Sequence, residues 1–384
     1  MPSLHPIRVT FPLTPLVGME GRSLVCLRRV GAMDVAKVLI SAKSEEVRPY
    51  IAAGSPLKIT WSGNGIRDYF YGYVHSFEPI TSGFHHHTVL LAVAASYPMF
   101  NESQRTFYLA GIHNAASEVA DDHRFQLEAE KHSVTLDQIL QHDESDWSFL
   151  RRLAEEWGYV LLFDGVTLIF RPLLDVLNER IRMAEDERTQ FAMSPNGSNF
   201  LSFEPAFSAV GEVAVSTTRI QGARYVATEI PRQSTRPGIF DQVVTDRTIT
   251  TDLESESVAL AHEVRQRFPF TAKARVLFPA GKKPLDSYRI SHEGKRMVWS
   301  IQSVKHIVSG GDYIGEMTLG SDGEDSAKVT RGLDMAMLIR KRSFTRRPTP
   351  VISDFRQYFK GTKGDVLVKD QRWRAPVLYN REAS

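Results

Sequence analysis

The chain has 384 residues, 42 % of them hydrophobic, enough to pack two or three domains without covalent staples. Lys and Arg (47) nearly balance Asp and Glu (45), which excludes a uniformly basic protein while leaving room for a local basic patch. The single cysteine, Cys26, excludes an internal disulfide and a cysteine-built zinc cage.

Residues 1–20 are broken by prolines and lack the apolar core of a signal peptide. No apolar run is long enough for a membrane span. The chain reads as soluble and made in the cytosol. Residues 7–11, 24–30, 35–41, 57–61, 69–77 and 88–94 are rich in β-branched or aromatic side chains and are separated by Gly, Pro, Asn and Ser clusters. Six short strands at this spacing predict a small antiparallel barrel or sandwich. After Gly111, Ile112, Ala116, Val119, Ala120 and His123 fall on one helical face.

A second helix starts near Ser145, whose hydroxyl can cap the first turn. Trp147, Leu150, Ala154 and Trp157 form its apolar stripe, and Gly158 stops it. Trp147, Leu150 and Trp157 should be buried, with Glu144 and Asp146 exposed or capping. Asp164-Gly165 between two apolar runs predicts a hairpin over 159–170. Further on, 200–230 and 274–321 read as strands. Residues 253–268 (Leu260, Ala261, Val264, Phe268) and 329–342 (Leu333, Ala336, Met337) read as helices. Residues 74–83 can be laid over 301–310 without a gap: Ser76 falls on Ser303, Ile80 on Ile307, Ser82 on Ser309 and Gly83 on Gly310. That register suggests one small barrel present twice.

Chemistry-bearing residues are few. His85-His86-His87 invites a metal, but on a strand only His85 and His87 share a face, so a polar hairpin rim is the better reading. Asp143, Glu144 and Asp146 could serve acid–base work or Mg²⁺, yet carboxylates at a helix N-terminus are stabilising as caps. Asp121-Asp122-His123 would need a distant partner. Gly63-Asn64-Gly65 is a turn, and Cys26 falls in a strand, where a buried inert thiol is usual. There is no P-loop, nucleophile elbow or dinucleotide fingerprint. We therefore assign no catalytic, cofactor-binding or metal residue and expect no enzyme activity.

From Arg331 to Ser384 there are 13 Lys and Arg against 5 Asp and Glu, whereas the rest of the chain carries 34 against 40. A basic arm thus follows a mildly acidic body. Arg340-Lys341-Arg342 and Arg346-Arg347 alternate with Phe344, Phe355, Tyr358, Phe359 and Trp373. This composition suits docking on an acidic protein surface better than gripping nucleic acid.

The stretch 141–158, from Gln141 through Glu144-Ser145-Asp146, Phe149-Leu150 and Leu153-Ala154-Glu155 to Gly158, resembles a signature of phage baseplate hub proteins. It is similar to the late control protein D family and the hub part of VgrG-type spike proteins. The Asp164-Gly165 hairpin, Tyr71-Gly72-Tyr73-Val74 and Val304-Lys305-His306 extend the resemblance over about residues 7–321, most strongly at 141–165. It implies a β-rich α+β fold: a first barrel (1–105), an inserted helical and hairpin region (106–199), a second similar antiparallel barrel (200–326), then a helix and basic arm (327–384). It also implies a structural homotrimer forming a ring between a six-fold tail tube and a three-fold tip. The implied partners are a tail tube or distal tail protein, a tip or spike protein and a tape-measure protein, with DNA only in passage. The implied place is the distal end of the tail in a virion, after synthesis in the host cytoplasm. No cofactor is implied. A hydrolase acting at the cell envelope through Asp143, Glu144 and Asp146, or a nucleic-acid-binding protein using the basic arm, are the alternatives. No lysozyme or peptidase domain and no β-helical spike is recognisable.

Overall fold

A computed structural model describes residues 6–12, 18–42, 44–47, 51–63, 65–82, 85–132, 135–188, 199–207, 213–221, 224–229, 240–245, 268, 270–292 and 295–321. The helices expected at 253–268 (Phe268 apart) and 329–342, and the basic arm, lie outside them.

The N-terminal strands are β1 (Ile7–Thr10), β2 (Met19–Arg29), β3 (Val35–Ile40), β4 (Pro56–Gly63), β5 (Ile66–Ser82) and β6 (His85–Ala94). All six strands expected in this region are present. They pair antiparallel in the order β1-β4-β5-β6-β3-β2, and β2 returns to β1, so the barrel is closed. Closure removes most exposed strand edges. Alternation explains the filling: Leu57, Ile59 and Trp61 of β4 point inward with Val38, Ile40 and Leu90. The short helix α1 (Ser44–Val47) adds Val47 to this core. Each such side chain contributes about 1.5–3 kcal/mol on burial. Gly72 is required where β5 passes β6, because a Cβ there would sit 1.9 Å from the Val93 carbonyl oxygen.

The chain continues through β7 (Glu102–Ala110), α2 (Ile112–Asp122), β8 (Gln126–Ala129), β9 (Leu136–Ser145), α3 (Asp146–Trp157), β10 (Tyr159–Asp164), β11 (Thr167–Pro172) and α4 (Leu173–Arg182). β7 and β9 form a two-stranded sheet, and β8 joins the β10–β11 hairpin in parallel with β11. The α2, α3 and β10–β11 expectations match these elements. As expected, Ser145 Oγ accepts from the Ser148 N–H at 3.2 Å, and Trp147, Leu150 and Trp157 are buried.

After β12 (Glu185–Arg188) and β13 (Phe200–Phe207) come β14 (Val213–Gln221), β15 (Arg224–Glu229) and β16 (Phe240–Thr245). These last three make a sheet of their own, β15-β14-β16, antiparallel at β14–β15 and parallel at β14–β16, within a second compact unit. β17 (Phe270–Leu277), β18 (Ser287–His292), β19 (Lys295–Ser309) and β20 (Asp312–Ser321) return to the first unit. They form a sheet ordered β12-β18-β19-β20-β17-β13 over a core that includes Phe203, Tyr288, Trp299, Ile301 and Leu319. This sheet joins the barrel where β19 pairs antiparallel with β2, His306 opposite Cys26. It departs from an all-antiparallel second barrel: β12 runs parallel to β18, whereas β1 runs antiparallel to β4. Among the described residues no β12–β13 pairing closes it.

The order β2-β3-β6-β5-β4 nevertheless matches β13-β17-β20-β19-β18 strand for strand. Register shifts fall at Val74/Ser76 against β6 and at Ile301/Ser303 against β20, the residues aligned by sequence. Two more fall at Gly21/Ser23 and Phe200/Ser202, in β2 and β13. The turn leading into each repeat is also the same. Ser55 Oγ accepts from the Ala52 N–H (3.0 Å), and Asp286 Oδ2 accepts from the Lys283 N–H (2.9 Å). Gly54 donates to the Val74 carbonyl and Leu285 to the Ile301 carbonyl, both at 2.7 Å, and both donors have positive φ (85° and 69°). Bulges re-aim strands and are position-specific, so two in common set the correspondence residue by residue.

Candidate functional site

Two polar clusters are buried in the first compact unit. The first gathers on β7, β9, α2 and α3 around Asp146, which is 3 % exposed rather than exposed or capping as its place at a helix N-terminus suggested. Its Oδ1 accepts from Gln141 Nε2 at 2.8 Å and from Ser103 Oγ and Arg105 Nη1. His123 Nε2 lies 2.8 Å from Oδ2. Arg105 also reaches Asp122 Oδ2 at 2.6 Å. The distant partner that Asp122 and His123 needed is thus the Arg105–Asp146 pair. Burial alone would push the Asp146 carboxyl up, but hydrogen bonds from Arg105, Ser103, Gln141 and His123 hold it down at about 2. With four donors on its oxygens, Asp146 is a clamp for β7, β9 and α2 rather than a free acid or base.

The other two carboxylates of that stretch diverge from it. Glu144 pairs with Arg152 (2.6 Å), and exposed Asp143 pairs with His142 (3.2 Å). His85, His86 and His87 pair across the end of the β5–β6 hairpin with Ser82, Thr81 and Ile80. Among the described residues no group of three His, Cys, Asp or Glu side chains is placed to hold a metal ion. Cys26 is buried, and burial pushes its thiol up to about 12.

The second cluster lies where β19 meets β2. Arg28 Nη1 donates to Asp68 Oδ1 at 3.1 Å, and Arg28 Nη2 to the Tyr69 carbonyl. Asp68 Oδ2 accepts from the Gly281 N–H at 3.2 Å and faces His306 Nε2 at 3.8 Å. Trp61 Nε1 donates to Tyr313 OH (2.9 Å), which leaves that hydroxyl's proton for His306 Nδ1 (2.9 Å). His306 is therefore a neutral ring protonated on Nε2. Burial, reinforced by the Arg28 charge, lowers it to about 3. Along β19 it sits between Val304, in the core of the second sheet, and Val308, in the barrel core. Sequence reasoning missed this cluster, because Arg28, Asp68, His306 and Tyr313 are far apart in the chain and no local spacing joins them. Val304-Lys305-His306 was noted only as part of a resemblance.

The Asp164-Gly165 turn, with Gly165 at φ 65°, docks on β5: Asp164 Oδ1 accepts from Tyr69 OH (2.9 Å) and Oδ2 from Lys283 Nζ (2.6 Å). The cleft beside it is lined by Arg28, Arg29, Asp34, Tyr69, Arg180 and Lys283. Arg180 is taken by Asp286 at 2.9 Å. Burial pushes Asp34 up to about 7 against the lowering charge of Arg28, with Asp164 and Asp68 adding to the rise. The folded state then holds a proton at Asp34 that the unfolded chain has released above its ordinary value of 3.8. Stability should fall as pH rises from about 4 to 7. Asp34→Asn should flatten that slope, as read from urea midpoints across the window; an unchanged slope would rule Asp34 out as its source.

The fold is similar to those of three solved tail and secretion proteins. A tail protein from Neisseria meningitidis MC58 has TM-score 0.62 at 13 % identity over 85 % of this chain and 99 % of that one. The 43 kDa tail protein of prophage MuSo2 from Shewanella oneidensis has TM-score 0.58 at 12 % identity, over 82 % and 98 %. The c3393 protein of E. coli, a type VI secretion component with structural similarity to the T4 bacteriophage tail proteins gp27 and gp5, has TM-score 0.53 at 10 % identity, over 82 % and 76 %. A comparison with curated proteins finds no match. At the level of sequence, the phage tail baseplate hub (GPD) family matches residues 29–235, more than half of the chain, and that match contains the whole Asp146 cluster. The chain therefore belongs to the phage tail baseplate hub (GPD) family.

Proposed function

We propose that this chain is the structural hub of a phage or phage-like tail, at the distal end of the virion, built in the host cytoplasm. In this reading three copies form a ring that joins the six-fold tail tube to a three-fold tip or spike and lets the genome pass. The observation that carries it is the shared strand order and bulge register of β2–β6 and of β13 with β17–β20. Two similar modules per chain let a three-fold object offer six similar faces to a six-fold partner. The first barrel and the second sheet act as the two modules, and residues 106–199 as the insertion between them. The Asp146 cluster is saturated by the chain's own groups, which suits scaffolding rather than catalysis.

The mass of the purified chain in solution tests this: three chains are expected, and a monomer across the micromolar range would sink the ring. The basic arm is read as a clamp on a neighbouring subunit or tail protein. Deleting 346–384 should leave the body folded but stop stable particle assembly. Normal particles that fail only in DNA delivery would place the arm in the channel instead.

A further inference from the structure

The acid excess of the body is not spread evenly. Residues 106–199 carry 17 Asp and Glu against 8 Lys and Arg, whereas 1–105 and 200–330 together carry 23 against 26. The basic arm, with 13 Lys and Arg against 5 Asp and Glu over 331–384, therefore finds its charge complement on the inserted region. Within that region one surface also offers apolar anchorage, the outer face of the β7–β9 sheet.

Cross-strand pairing sets that face. Phe107 lies opposite Ile139 and both are buried, Phe107 stacking on Phe149 of α3 with ring centroids 6.2 Å apart. Thr106 lies opposite Leu140 and Tyr108 opposite Gln138, so Tyr108 and Leu140 are diagonal neighbours on the side away from α3. Both are exposed, Tyr108 by 71 % and Leu140 by 50 %. Alternation would send Leu109 inward beside Phe107. Instead its backbone is left-handed (φ 48°), uncommon for a leucine, and the residue is 75 % exposed. Strain that aims a large apolar side chain at water marks a contact site. The rim is acidic. Glu102, Asp137 and Asp143 are exposed on these two strands, and their only Lys or Arg, Arg105, is taken by Asp146 and Asp122.

We propose that the outer face of the β7–β9 sheet is the dock for the basic arm of a neighbouring copy. The arm's arginines and lysines face Glu102, Asp137 and Asp143, and one of its aromatic side chains covers Tyr108, Leu109 and Leu140. This rests on the clamp reading of the arm above and names the surface that the clamp holds. Reach is not limiting, since the 54 residues of 331–384 span up to about 180 Å when fully stretched. The same acidic rim repels a nucleic acid or an acidic protein, so charge favours this occupant over either. An aromatic anchor supplies most of the binding energy of such a contact, while exposed charge pairs steer it. The contact should therefore weaken, without vanishing, between about 0.1 M and about 1 M salt, where the screening length falls from about 10 to about 3 Å.

The test places the photoreactive amino acid p-benzoylphenylalanine at Tyr108, and separately at Leu140, of the full-length chain. Met183 is the control position, because it is as exposed (74 %) but stands beside Arg182 rather than an acidic rim. Irradiation at either test position should give a two-chain band whose linked peptide comes from residues 331–384, several-fold stronger than the band from Met183. Leu109→Gly suits the left-handed backbone while removing the anchor. It should cut the Tyr108 band several-fold with no loss of thermal stability. Silence at both test positions, links to other residues, or an equal band from Met183 overturns the dock. Links to 331–384 within a single chain overturn the contact between copies. The chain lacking residues 346–384 judges the clamp separately. If it assembles normally while the full chain still forms the Tyr108 links, the dock stands and the clamp fails. If it fails to assemble and the full chain forms no such link, the clamp stands and this dock is wrong.

Discussion

Asp68→Ala is expected to lower stability by about 3–5 kcal/mol, because removing one partner leaves the other buried and unpaired. Asp68 and Arg28 are 1 % and 5 % exposed, so water cannot replace the lost carboxylate. Arg28 would keep the Tyr69 carbonyl, a 3.8 Å approach to Asp34 and the Trp61 ring 5.5 Å from its guanidinium carbon, and the Gly281 N–H would lose its acceptor. The loss should appear as a lower urea midpoint with an unchanged slope. Replacing both partners with apolar residues, Arg28→Met with Asp68→Leu, should recover part of it, since it removes the unpaired charge while the Gly281 N–H still lacks its acceptor. A single-variant loss below about 1 kcal/mol would show that the pair is solvated and contributes little to holding the fold.

The contrast between what the sequence revealed and what it hid follows from the side chains involved. The barrel strands were legible because alternation is strict where one face is buried: Leu57, Ile59 and Trp61 announce β4 without help. The doubled hairpin was legible because Ser76 and Ser303, Ile80 and Ile307, and the glycine-containing turns survive at fixed spacing. β9 was not legible. Its inward positions include Gln141, a polar residue whose burial is tolerable only because Asp146, Ser103 and Arg105 satisfy it. α4 was missed for another reason: it starts directly from β11 at Pro172, with no side-chain cap to mark the switch. The clusters themselves join residues tens or hundreds of positions apart, such as Asp68 with Gly281 and Trp61 with Tyr313, and no local pattern encodes such pairings.

Asp146 separates a scaffold from an enzyme. As a clamp it should be costly to remove: Asp146→Ala is expected to lose about 3–5 kcal/mol, because Arg105 would be left largely buried beside only surface-exposed acids. Glu144→Ala, which breaks the more solvent-accessible pair with Arg152, should cost no more than about 1 kcal/mol. Acid titration gives a signature that packing cannot mimic. The folded carboxyl sits at about 2, below its ordinary 3.8, so its contribution is fully present above about pH 4 and drains away as pH falls toward 2. Asp146→Asn should be less stable than the wild type at neutral pH, and the gap should narrow as the pH is lowered through that window. A constant gap would mean that the charge contributes nothing and the shape of the side chain everything. An Asp146→Asn chain as stable as the wild type, still assembling but failing to cleave a cell-envelope substrate that the wild type cleaves, would favour the hydrolase alternative for Asp146 and displace the scaffold reading at this site.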